Sequence, residues 1–222
     1  MLKIKCIETG PLITNCYVVY DEIEKSAIII DCTIDGFYDI KNFIESQKLI
    51  PQYIILTHSH WDHCGDAYKL KDYYSIDIYC HKDDEYRLEN PKKYSLFDLP
   101  YEIKGIKADK YLNDNDTINL NNHKFIVLHT AGHTEGSICI YEPDNKIAFV
   151  GDLIFKGSIG RTDLPGGDFM EILQSLKKII NKFDRETIIY SGHGPTTTIK
   201  QEIDTNPFII NYLEISDISN EN

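Results

Sequence analysis

Residues 53–63 read Tyr53-Ile54-Ile55-Leu56-Thr57-His58-Ser59-His60-Trp61-Asp62-His63. An apolar, β-branched run ends abruptly in three histidines and one aspartate. The run has the composition of a buried strand. The polar segment after it is costly to place, because imidazoles and carboxylates are seldom buried unless paired or bound to an ion. Together they suit Zn²⁺, Fe²⁺ or Mn²⁺. So short a segment can hardly wrap four donors round one ion. His58 and His60 can share one ion, Asp62 and His63 can reach a second, and further ligands must come from elsewhere.

Three other segments supply them. Gly132-His133-Thr134 follows an apolar run ending near His129, Asp152 closes the run Ile147–Val150, and Gly192-His193-Gly194-Pro195 follows Thr187–Tyr190. In each, a predicted strand delivers a metal-binding side chain at its end, often beside a glycine that lets the backbone turn tightly. The candidate ligands are therefore His58, His60, Asp62, His63, His133, Asp152 and His193. Seven donors, one of them a bridging carboxylate, suit two ions roughly 3.5–4 Å apart.

Outward from this set, strands are also predicted at Leu12–Tyr20, Ser26–Asp31, Gln52–Thr57, Asp77–Cys80, Lys124–His129, Ser137–Tyr141 and Lys146–Val150. Asp168-Phe169-Met170-Glu171 is a helix start with a capping residue. Behind it Ile172, Leu173, Leu176, Ile179, Ile180 and Phe183 form an apolar stripe. Phe37, Ile40, Phe43 and Ile44 form a second stripe, and Ala67, Leu70 and Tyr73 a third. Asn206-Pro207 opens a short C-terminal helix. Residues 81–116 read as a long polar surface excursion with room for a short helix. Ile28-Ile29-Ile30-Asp31 is echoed by Ala148-Phe149-Val150-Gly151-Asp152, and Ile54–His58 by Ile188–His193, which suggests two similar halves.

With 222 residues, 42% hydrophobic and 26% charged, the chain can bury a full core, and one domain spanning 1–222 is expected. The net charge of −12 argues against a nucleic-acid coat or an anionic-membrane binder. Apolar runs such as Ala27–Ile30 fall far short of the about 20 residues of a membrane span. Charges interrupt Met1–Cys6 at once, so no secretory leader is expected. None of the six cysteines forms a C-x-x-C pair, and reduced thiols in a cytoplasmic protein are expected.

The pattern His58-x-His60-x-Asp62-His63 with His133, Asp152 and His193 resembles the metallo-β-lactamase fold superfamily. The resemblance runs from Asn15-Cys16-Tyr17 and Ile30-Asp31 to His193. Gly151-Asp152-Leu153-Ile154-Phe155 and Gly160–Asp168 resemble small bacterial glyoxalase-II-like hydrolases more closely still. The resemblance implies an α/β fold, a four-layer αββα sandwich of two mixed β-sheets flanked by helices, with the metal site at one sheet edge. It implies that His58, His60 and His133 hold one metal and Asp62, His63 and His193 the other, with Asp152 bridging. It also implies two Zn²⁺ (with Fe or Mn as alternatives) and a hydroxide between them as nucleophile on a thioester, with Asp62 assisting proton transfer.

The expected partner is a small-molecule, anionic thioester, with no nucleic acid and no membrane. Within the same resemblance, a mononuclear iron persulfide dioxygenase using His58, His133 and Asp152 is the alternative, and a lactone or other ester hydrolase a further one. Hydroxyacylglutathione hydrolases carry a C-terminal helical region for glutathione, whereas 29 residues follow His193 here. Substrate contacts are therefore expected from residues 81–116 and 156–168 and the tail. Arg161 is a candidate substrate contact, with pairing to Asp163 the competing role. Asp31 is expected to orient a ligand or loop. Trp61 and Cys64 are expected to pack, and His81, His123 and His129 to be ordinary histidines, His81 being the first exception to look for because it ends a strand.

Overall fold

The computed structural model describes residues 1–95 and 102–211. One sheet holds β1 (Leu2–Thr9), β2 (Thr14–Asp21), β3 (Ser26–Ile30), β4 (Ile50–Ile55), β5 (Asp77–Cys80) and β6 (Lys110–Tyr111), in that order. β1, β2 and β3 pair antiparallel, and β3 to β6 run parallel. The other sheet comprises β7 (Thr117–Leu120), β8 (His123–His129), β9 (Ile138–Glu142), β10 (Ile147–Gly151), β13 (Ile188–Ser191) and β14 (Thr197–Thr198), in the order β14-β13-β10-β9-β8-β7. It too is mixed, with β10 and β13 parallel. A hairpin of β11 (Ile154–Phe155) and β12 (Ser158–Ile159) stands apart. The helices are α1 (Phe37–Gln47), α2 (Trp61–Cys64), α3 (Ala67–Tyr74), α4 (Glu85–Glu89), α5 (Phe169–Lys182) and α6 (Ile199–Thr205).

The continuous apolar runs have a direct cause: the central strands are buried on both faces. Along β3, Ala27 and Ile29 pack with Ile40 and Ile44 of α1 and Leu70 of α3. The alternate residues Ile28 and Ile30 meet Phe125, Val127 and Phe149 of the facing sheet. Along β10, Phe149 enters that same inter-sheet layer, while Ala148 and Val150 turn to Ile172, Leu176 and Ile179 of α5. Three apolar layers thus separate four layers of structure, helix–sheet–sheet–helix, as expected. Asp168 caps α5, its Oδ1 accepting from Met170 N at 2.7 Å and Glu171 N at 2.9 Å.

The echoed segments occupy equivalent places. β2-β3-β4 and β9-β10-β13 have the same senses, an antiparallel pair followed by a parallel one. Several details differ from expectation. β1 was not expected, and Leu12 and Ile13 are exposed turn residues, so β2 starts at Thr14. The segment 81–116 holds its expected short helix as α4, after a 3-10 turn (Lys82–Asp84), but it is not only surface, for it buries Asp84, Arg87, Leu88 and Leu112. α6 precedes the expected C-terminal helix, which begins with Asn206 Oδ1 accepting from Phe208 N at 3.1 Å and is helical over 207–211. Residues 96–101, with Pro100, and the tail from 212 lie outside the described residues. Among the described residues no helix is long and apolar enough to cross a membrane, and all six cysteines are free.

Candidate metal centre

All seven candidate donors sit where strands of the two sheets end on the same side. His58 follows β4, His60 is the extended residue that begins α2, and Asp62 and His63 lie in its single turn. His133 comes from the loop after β8, Asp152 directly follows β10, and His193 follows β13. The two halves are stitched beneath them. Asn15 N donates to Gly192 O at 2.8 Å, and Asn15 Nδ2 to Ser191 O and Gly194 O at 2.9 and 2.8 Å. Tyr17 OH donates to Ser191 O at 2.6 Å.

The donors converge into three overlapping groups: His58, His60 and His133; His58, His63 and Asp152; Asp62, His63 and His193. His60 Nδ1 and His133 Nε2 lie 2.9 Å apart, and His63 Nε2 and His193 Nε2 3.4 Å apart. Asp152 stands between them, with oxygens 3.3 Å from His63 Nε2, 3.6 Å from His133 Nε2 and 3.5 Å from His193 Nε2. Asp62 Oδ2 lies 3.2 Å from His193 Nε2.

The outer hydrogen bonds turn the rings inward. Asp31 accepts from His63 Nδ1 at 2.8 Å, which leaves Nε2 facing the centre. The same carboxylate accepts from Thr57 N at 2.8 Å and Thr57 Oγ1 at 2.7 Å, and its backbone adopts φ +61° to do so. His133 Nδ1 donates to the carbonyl of Arg161 at 2.7 Å, so Nε2 again points to the centre. Asp31 is a residue that the sequence singles out, whereas a backbone acceptor leaves no trace in residue identity.

Charge is strongly organised here. Burial opposes ionisation of His63, but Asp152, Asp62 and Asp31 more than offset it and raise its pKa well above the usual histidine range. His193 is likewise raised despite burial, chiefly by Asp62 and Asp152. Burial, then neighbouring imidazoles, push His58 far down, and burial followed by His133 takes His60 to about 3. Asp62 and Asp152 are held low against burial, in each case chiefly by His63. Neutral His58 and His60 thus stand beside His63 and His193, whose charged forms the ionised Asp62 and Asp152 favour.

The donor set fits two cations. His58 Nε2 and Asp152 Oδ1 are buried without a hydrogen-bond partner, an arrangement that is costly unless an ion completes it. A Cβ on Gly192 would stand 2.1 Å from Asp152 Oδ1 and 2.5 Å from His63 Cε1, so only glycine lets the β13 end approach the centre this closely.

A cavity of about 640 Å³ opens over the centre, floored by His60, Asp62, His133, Asp152 and His193. Its walls are largely apolar and aromatic, from Leu12, Trp61, Tyr94, Phe155, Ile159 and Leu164. Trp61 therefore borders the cavity as well as starting α2. Arg161 also lines it, yet its guanidinium forms a two-pronged pair with Asp163 at 2.7 and 2.8 Å. Cys64 is buried, as expected. His81 and His129 stack face to face with ring centroids 4.0 Å apart, and His123 sits 3.6 Å from Asp21 and 3.9 Å from Glu142, none of them at the centre.

This fold and donor set define a class of metal-dependent hydrolases. The chain belongs to the metallo-beta-lactamase superfamily, whose sequence model matches residues 9–193. It is 35% identical over 211 residues to the hydroxyacylglutathione hydrolase GloC of Haemophilus influenzae, covering 94% of this chain and 98% of that one. Among solved structures it superposes on the BLEG-1 B3 metallo-beta-lactamase with a TM-score of 0.87 and 38% identity, over 93% of this chain and 99% of the other. TTHA1623 in a di-iron-bound form gives a TM-score of 0.81 with 33% identity, over 92% and 99%. The superfamily and the His/Asp clusters together imply a dinuclear metal site.

Proposed function

We propose that the chain, acting as one domain over 1–222, hydrolyses small thioesters at a dinuclear zinc centre, in the manner of glyoxalase-II-like enzymes. One observation carries this reading: Asp152 lies within 3.6 Å of histidines from both metal groups, the place of a bridging carboxylate. The relationship to GloC supports the thioester class. In this reading His58, His60 and His133 would hold one ion and Asp62, His63 and His193 the other, with Asp152 available to both.

Two such ions would polarise a carbonyl oxygen and bring the pKa of water toward about 7. The protein's own groups do the rest. The cavity walls hold the substrate against the centre and exclude bulk water. Asp62 is ionised, its Oδ2 accepts from Thr14 Oγ1 at 3.4 Å, and it borders the cavity, so it can take a proton from the attacking water and return it to the departing thiolate. Arg161 at the cavity wall meets an anionic group on the substrate, in competition with Asp163. With two cations bound, the centre would attract a small anionic thioester although the chain as a whole is acidic. The six free cysteines support a reducing, cytoplasmic setting.

Metal quantification of protein purified without added metal, paired with substrate assays, tests the proposal. Two zinc ions per chain with hydrolysis of S-lactoylglutathione or a simpler thioester is the expected result. One iron with sulfide-dependent oxygen uptake establishes the dioxygenase alternative instead. A metal-replete protein that opens lactones but leaves thioesters intact moves the assignment to ester hydrolysis.

A further inference from the structure

We propose that Asp84, behind the centre, is a positioning residue that locks the two ligand-bearing loops of one ion into a single unit. The proposal rests on the metal reading above and adds a residue to it. Asp84 lies in the 3-10 turn after β5 and is fully buried. Its Oδ2 accepts from Ser59 N at 2.7 Å and from Thr134 Oγ1 at 2.9 Å. Ser59 stands between His58 and His60, and Thr134 directly follows His133. One carboxylate oxygen thus joins the neighbours of all three histidines of that group, across 75 positions from Ser59 to Thr134 in the chain. Its Oδ1 accepts from Gly136 N at 2.8 Å and from Arg87 Nη1 at 3.2 Å. A Cβ on Gly136 would stand 2.7 Å from Asp84 Cβ, so the loop after His133 is shaped to admit this carboxylate.

Arg87 extends the tie. It is buried too, and it donates from Nη1 to Ser59 Oγ at 2.9 Å and from Nη2 to Glu135 Oε2 at 2.8 Å and to the carbonyl of Pro165 at 2.9 Å. Pro165 borders the cavity. The carboxylate is not among the groups that converge on the centre. It fixes the backbone from which the ligands project, and such outer partners typically govern metal affinity by 10–100-fold.

Asparagine at 84 keeps the shape but turns an amide N–H₂ toward one of the two donor pairs, leaving either Ser59 N or Gly136 N facing another donor. Chelator-stripped full-length wild type and Asp84→Asn are titrated with Zn²⁺ against a chromophoric competitor, and their melting temperatures without metal are recorded. The expected result is one dissociation constant raised 10–100-fold, the other within about threefold, and a metal-free melting temperature close to wild type. Two unchanged constants in a folded variant overturn the proposal. So do two constants that weaken in parallel with a lowered metal-free melting temperature, which describe a general structural role. If Asp84→Asn fails to fold, Thr134→Val, which removes one donor and keeps the carboxylate, decides: the same constant rises several-fold, or the proposal falls. A wild type that binds no zinc overturns the metal reading itself. A wild type that binds two beside an unaltered variant overturns only the role of Asp84.

Discussion

Replacing Asp152 with alanine perturbs both metal groups at once. Its oxygens lie 3.3–3.6 Å from three histidine nitrogens, and Oδ1 has no other partner. At an effective dielectric of about 20, a unit charge pair 3.3 Å apart is worth roughly 5 kcal/mol before desolvation is counted. Truncating one member of a buried charged cluster typically costs 3–5 kcal/mol. At about 1.4 kcal/mol per decade, a loss of that size in ion binding is about two to three and a half decades. The variant should therefore retain about one ion where the wild type holds two, and kcat/KM should drop roughly 10³-fold. Plasma emission analysis after dialysis against a weak chelator reads the stoichiometry, and a thioester assay at saturating zinc reads the rate. Wild-type activity with two retained ions would refute the bridging assignment and the dinuclear reading built on it.

Other perturbations separate the centre from its surroundings. His123→Ala, whose ring lies between Asp21 and Glu142 away from the centre, should leave kcat/KM within about twofold in the same assay. Asp31→Asn removes the charged acceptor of His63 Nδ1, and one ion should bind 10–100-fold more weakly by competitive titration. Gly192→Ala drives a methyl against Asp152 and His63, so a soluble variant should lose metal before it loses fold, as seen by metal content against circular dichroism. His81 has its pKa lowered by burial and then by stacked His129, against opposing pulls from Asp83 and Asp84. Its unfolded form takes up a proton first, so its contribution to stability is lost as pH falls below the ordinary value near 6.5. His81→Gln should flatten denaturant midpoints between pH 7 and 5 relative to wild type.

The fold was legible, and the candidate donors stood out, for one physical reason: strands buried on both faces read as unbroken apolar runs, and polar groups at their ends are conspicuous. Ile28–Ile30 and Ala148–Val150 advertise both the layers and the carboxylates that follow them. The features that escaped obey other rules. Leu2-Lys3-Ile4-Lys5 alternates as a half-exposed strand should, but the pattern is short and charged. The two-residue strands β6, β11, β12 and β14 are created by their partners and have no period of their own. Lys82-Asp83-Asp84-Glu85 reads as solvated charge, and only the approach of loops around Ser59 and Thr134 reveals that Asp84 is interior. The cavity walls are equally a tertiary product, since Leu12, Tyr94 and Leu164 are far apart in the chain.

The repeated β-β-β arrangement has a consequence for how the enzyme matures. His58, His60, Asp62 and His63 belong to the earlier half, while His133, Asp152 and His193 arrive with the later one. A nascent chain that has emerged only as far as β7 owns a partial, weak chelating loop. On the proposed ligand set, high-affinity uptake of cations would await closure of the seam between the halves, and metal loading would then report that the halves have docked.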